Sequence, residues 1–133
     1  MTATAPHRST FRVYYEDTDL GGFVYYANYL KFIERGRTDW VRANGVDQIR
    51  LKRDEGLVFV VRRVEADYLR PAFFEDLLTI ETRLVELGGA SIVVDQSVLR
   101  GDETLFTARV VLVCVGDKGA ARLPAAVRAA LQD

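Results

Sequence analysis

The chain has 133 residues, 49% of them hydrophobic and 28% charged, the size and balance of one globular domain with its own core rather than a disordered segment. Its 18 Lys and Arg stand against 19 Asp and Glu, a formal net charge of −1, which leaves no electrostatic footprint for nucleic acid. One cysteine excludes an intrachain disulfide and fits a reducing, cytoplasmic setting.

Met1–Thr10 has no apolar core of a signal peptide and reads as a flexible tail, leaving residues 11–133 as a single domain. Phe11–Tyr15, rich in aromatic and β-branched residues, predicts a short strand. Asp17–Gly22 carries turn chemistry. From Asn28 to Asn44 the pattern becomes helical: Tyr29, Phe32, Ile33, Gly36, Trp40 and Ala43 share one face, and Lys31, Arg35, Thr38 and Arg42 the other. Asn44-Gly45 is a helix stop. Gly36 on the apolar face costs about 1 kcal/mol relative to alanine. A packing reason is expected there, a bare backbone that lets a sheet come close.

A polar connection, Asp47 to Gly56, leads to four strand-like runs: Leu57–Leu69, Asp76–Leu87, Ala90–Arg100 and Thr104–Val115. Their separators are short enough for antiparallel neighbours. In the last run Phe106, Ala108, Val110, Leu112 and Cys114 share one phase, which predicts a continuous buried face. Its longest apolar stretch, Val110–Val115, is far short of the ~20 residues of a membrane span. A short helical stretch, Pro124–Leu131, closes the chain. The order is β-α-β-β-β-β, an α+β domain whose long helix must bury its apolar face on an antiparallel sheet.

Most catalytic equipment is missing. The only histidine, His7, falls in the expected tail, no serine has a G-x-S-x-G setting, and one histidine with one cysteine supplies too few ligands for a metal site. No glycine-rich phosphate loop appears, and Cys114 reads as core. What remains is Glu16, Asp17 and Asp19 beside Gly21-Gly22, ahead of the helix. Acids before a helix also fit simple complementation of its dipole, worth about 0.3–1 kcal/mol. These acids, however, stand too far upstream to cap it, and the double glycine lets the backbone fold back and aim N–H groups at them. A carboxylate facing free helix-end N–H groups suits attack on a carbonyl and its polarisation.

The run YYEDTDLGGFVYYANYL, followed by Lys31-Phe32-Ile33-Glu34-Arg35-Gly36-Arg37, resembles the hotdog-fold acyl-CoA thioesterases of the 4-hydroxybenzoyl-CoA thioesterase type. Within them it is most similar to the Tol-Pal-associated, YbgC-like branch. Phe59–Arg63, Arg70-Pro71-Ala72 and Val111–Val115 extend the resemblance from about Phe11 to Pro124. The resemblance implies a hotdog fold, a five-stranded antiparallel sheet wrapped around one long central helix, assembled as a homodimer or homotetramer with sites at the subunit interface.

It also implies Asp19 as the catalytic acid, as nucleophile or as general base, and the Tyr26 backbone N–H as oxyanion donor. Asp17 is expected to be structural. Many relatives in the branch have histidine where this chain has Tyr26, which bears on substrate preference more than on a backbone donor. Tyr15, Gly22, Val24, Tyr25, Glu34, Phe59 and Val61 are the expected substrate contacts. For Glu34 an ordinary surface pair with Arg37 is the other reading. Arg62, Arg63, Lys118 and Arg122 are the cations available for CoA phosphates. The implied substrate is an acyl-CoA or a carrier-protein acyl group, with no cofactor or metal. Two other readings stand beside it. A hotdog hydratase would need a catalytic histidine outside the tail; a non-catalytic hotdog partner in envelope or lipid metabolism would not.

Overall fold

The computed structural model describes residues 5–132. In chain order it contains β1 (His7–Arg12), α1 (Asn28–Ala43), α2 (Gln48–Glu55), β2 (Val58–Tyr68), β3 (Leu77–Leu87), β4 (Ser91–Arg100), β5 (Glu103–Gly116), β6 (Gly119–Ala120) and α3 (Ala125–Gln132). A 3-10 turn, Tyr15–Asp17, follows β1. The strands form one antiparallel sheet in the order β1-β3-β4-β5-β2, with the two-residue β6 added beside β5. Register shifts at Val61/Arg63 and Leu84/Glu86 are β-bulges, which bend their strands and help the sheet curl over α1.

That helix buries Tyr29, Phe32, Ile33, Gly36 and Trp40 against the sheet, as their spacing predicts. The reason for Gly36 is steric. A Cβ there would sit 2.8 Å from Cβ of Ile80 on β3 and closer still to its Cγ2. On β5 the phase Phe106, Ala108, Val110, Leu112 and Cys114 is buried throughout. The burial leaves Cys114 as packing, with its thiol pushed above the usual range by desolvation.

Four expectations are corrected. The first strand is His7–Arg12 rather than Phe11–Tyr15, paired with β3 from His7↔Thr82 to Arg12↔Leu77. Residues 7–10 therefore belong to the sheet and not to a tail; of the rest of that expected tail, residues 1–4 lie outside the described residues. The Asp47–Gly56 connection is a helix, α2, capped by the Asp47 side chain on the Arg50 N–H and stopped by Gly56 in the left-handed region. It buries only Leu51, so it has no apolar stripe to announce it. On α1, Ala43 is exposed, and Arg37 and Val41 are buried instead. Among the described residues no helix is long and apolar enough to cross a membrane.

Candidate active site

Asp19 sits in a small turn between two paired segments. Thr18 and Val24 form an antiparallel bridge, and the Asp19 N–H donates to Phe23 O at 2.9 Å. Inside this loop the Gly22 N–H donates to Asp19 O and the Gly21 N–H to Asp19 Oδ1, both at 3.0 Å. Gly22 has φ +84°, the left-handed region where a side chain is strained. The double glycine thus makes the turn and orients one carboxylate oxygen. The residue itself is exposed.

Asp17 has a different environment. It is buried, and its Oδ2 accepts the Tyr14 N–H at 2.8 Å. Its carbonyl accepts from the Tyr25 N–H and from Asn28 Nδ2, both at 2.9 Å. This residue ties the 3-10 turn to the start of α1, the structural place expected of it.

At the entry to α1 the Tyr26 N–H donates to no backbone acceptor among the described residues, whereas the Tyr26 carbonyl accepts from the Tyr68 hydroxyl at 2.9 Å. Tyr26 is therefore tied to β2 through its carbonyl, and its N–H is left without a backbone partner among the described residues. Tyr25 packs its ring on Tyr26 at 4.9 Å. The Tyr25 phenol is held above its usual value, first by Tyr26 as a hydrogen-bond partner and more weakly by the Asp19 charge. An acid, a neutral phenol and a free helix-end N–H thus share one loop.

Residues 21–107 match the Thioesterase superfamily. The chain belongs to the thioesterase superfamily. It is 44% identical over 104 residues to the Acyl-CoA thioesterase YbgC of Haemophilus influenzae, covering 78% of this chain and 76% of that one. To the Acyl-CoA thioester hydrolase YbgC of Escherichia coli O6:H1 it is 42% identical, with 84% of each chain covered. The crystal structure of a probable thioesterase from Bartonella henselae superposes with a TM-score of 0.86 at 41% identity, over 90% of this chain and all of that one. The fold is the hotdog fold of that superfamily, and the matched span takes in the glycine turn and α1 but begins two residues after Asp19.

Around this superfamily scaffold the remaining predicted residues divide. Glu34, Phe59 and Val61 come together on a cavity of about 240 Å³ between α1 and β2, with Gln48 at its far end. Tyr15 is 82% exposed and meets Phe74 edge-on at 6.2 Å. Val24 is buried in the core, with its N–H on Ala72 O. The four cations fall into two groups. Arg62 sits in the β2 bulge, and Arg63 pairs with Glu65 at 3.2 Å. Lys118 and Arg122 flank β6, beyond the end of β5 opposite to the Phe106 that pairs with Tyr68. Arg63 pairs with Val111, so the five residues of strand from there to Gly116, roughly 17 Å, stand between the two groups.

Arg37 is the site residue that sequence reasoning missed. It is 9% exposed, and it lines the same cavity as Glu34 without forming an ion pair with it. Glu34 instead accepts from the Thr38 hydroxyl at 2.7 Å. The signal was present in the helical spacing, since Arg37 falls next to the buried Ile33 and Gly36 face, but an arginine at that position reads as a solvated one.

Proposed function

We propose that the chain hydrolyses acyl-CoA thioesters to the free acid and coenzyme A, with Asp19 acting on the thioester carbonyl and the Tyr26 N–H receiving the oxyanion. The observation that carries the reading is that unpaired N–H at the head of α1, next to a loop that presents an exposed carboxylate. Superfamily membership and relatives named as acyl-CoA thioesterases at 42–44% identity support the reaction class.

The chemistry needs little else. A thioester expels a thiolate, which requires almost no general-acid help, so the absence of a nearby histidine is no obstacle. Asp19 either attacks the carbonyl carbon, giving a mixed anhydride and free thiolate that water then resolves, or removes a proton from the water that attacks. The helix dipole and the Tyr26 N–H stabilise the negative charge on the carbonyl oxygen; a donor of this kind is worth about 2.7–4 kcal/mol in the transition state. Protein groups suffice for each step, without a cofactor. Arg62 and Arg63, exposed on β2, are the cations we assign to CoA phosphates, and a carrier-protein acyl group would offer the same thioester. The single cysteine is buried, which suits a reducing compartment such as the cytoplasm.

Asp19→Asn tests the reading. Its kcat is expected to fall by about 10²–10⁴ at unchanged folding, whereas Asp17→Asn lowers stability and leaves turnover of the folded protein near the parent's. Equal rates for Asp19→Asn and the parent sink the assignment. Single-turnover hydrolysis in ¹⁸O water tests the anhydride route: label in Asp19 means an anhydride that water opened at the Asp19 carboxyl carbon.

A further inference from the structure

The cavity bordered by Glu34 and Arg37 continues along α1 into a second space of about 660 Å³, which reaches Leu30 in the first turn of the helix. Glu34, Arg37 and Val61 border both, so the two spaces adjoin between α1 and β2, spanning Leu30 to Gln48. Ile33, Val41, Phe59, Val61 and Leu112 supply the apolar walls of this groove, with Glu34, Thr38 and Gln48 as polar lining and Lys31 and Arg35 beside Leu30. One buried cation interrupts them.

Among the described residues Arg37 has a single hydrogen bond, from its Nη1 to Gln96 Oε1 at 3.0 Å. Gln96, 1% exposed, is itself fixed, its Nε2 donating to Ile33 O at 2.8 Å and Thr82 Oγ1 at 2.9 Å. The guanidinium is thus held rigidly by a neutral amide, with the other donors of its fork unused. Among the described residues no carboxylate lies within ion-pair distance of it. Burial pulls its pKa below the usual range, and the Glu34 charge offsets only part of that. A guanidinium nevertheless stays charged, and a mostly buried charge with no anion beside it is unfavourable. Such a cost is tolerated in a rigid, open position when a ligand supplies the missing anion.

We propose that Arg37 is a specificity-determining residue that receives a carboxylate at the far end of the acyl chain, so that the preferred substrates are medium-length ω-carboxyacyl thioesters. The inference rests on the thioesterase reading above. Length follows from the helix: Asn28 to Arg37 rises about 14 Å, and the arginine side chain leans back toward the helix head. An acyl group pinned at the Tyr26 N–H and extended along the groove therefore meets the guanidinium after a medium-length chain. A short aromatic acyl group stops before it. The carboxylate takes the two-pronged hydrogen bond that Gln96 leaves open.

The test compares octanoyl-CoA, ω-hydroxyoctanoyl-CoA and the mono-CoA thioester of octanedioic acid, with the matching decanoyl set. The parent protein is expected to favour the ω-carboxyl thioester over the plain one in kcat/KM by roughly tenfold or more, with the hydroxyl between. In Arg37→Met that ratio is expected to drop to about one, and Arg37→Lys to keep part of it. A parent ratio at or below one overturns the inference without any variant, as does a hydroxyl preferred to the carboxylate. An equal loss on all three substrates in Arg37→Met assigns the residue to structure and overturns it too. Thiol release from none of the substrates overturns the thioesterase reading, and this inference with it. Good turnover of octanoyl-CoA with no carboxylate preference overturns this inference alone.

Discussion

At the scale of single residues, two aspartates two positions apart carry different work because of what surrounds them. Asp17 is buried and spends one carboxylate oxygen on the Tyr14 N–H; Asp19 is exposed and spends one oxygen on the glycine turn. Sequence alone leaves the three acids of this loop with equal chemistry, since the turn that separates them is a matter of φ at Gly22 and of bridges to Val24 and Phe73. At Tyr26 the proposed chemistry uses the backbone and not the side chain. Tyr26→Phe is therefore expected to keep kcat within about threefold, while Tyr26→Pro, which removes the N–H at a position just before the helix where proline is tolerated, lowers it by about 10²–10³. Steady-state rates with circular dichroism as a folding control check this. Similar losses in both variants would point to the ring instead.

At the scale of elements, legibility followed the apolar pattern. The long helix, β3, β4 and the buried phase of β5 were readable because each has a face in the core, and β2, exposed along most of its length, was readable from its run of β-branched residues. The α2 helix was not, because Leu51 is its only buried residue. The exact start of β1 was obscured for a different reason. His7 to Arg12 alternates half-buried and exposed residues with little hydrophobicity, and aromatic residues just downstream imitate a strand while forming a 3-10 turn. Gly36 is the converse, a residue whose oddness in the pattern pointed correctly to a close approach. The helix propensity gained by Gly36→Ala is about 1 kcal/mol, but the added methyl meets the fully buried Ile80. Overpacking of this kind costs about 1–3 kcal/mol, so the net outcome is destabilisation, read as a lower urea midpoint. An alanine variant as stable as the parent would mean that α1 can lift from β3 at no cost.

At the scale of the whole molecule, the sheet order decides what the sequence leaves open. Neighbours such as β3, β4 and β5 follow the chain, but the pairing of β1 with β3 and of β2 with β5 joins segments far apart, and no local pattern announces it. That order puts β2 at a free edge, where Val60 is 41%, Val61 47% and Val64 38% exposed. An eleven-residue strand with apolar residues open on both faces is a site for adding another strand, and proteins seldom leave one uncovered. The homo-oligomer expected from the sequence would find at that edge a place for a second copy of the chain. Two copies related by a two-fold axis would set β2 against β2, each residue facing its counterpart's surroundings. The α1–β2 groove would then lie beside the junction, so assembly and substrate binding should fail together. Val60→Asp puts a charge into the covered strand of each copy. Sedimentation is expected to change from dimer or tetramer in the parent to monomer in the variant, with the acyl-CoA kcat/KM falling in parallel. A monomeric parent, or a variant that stays assembled, would move the contact to another face.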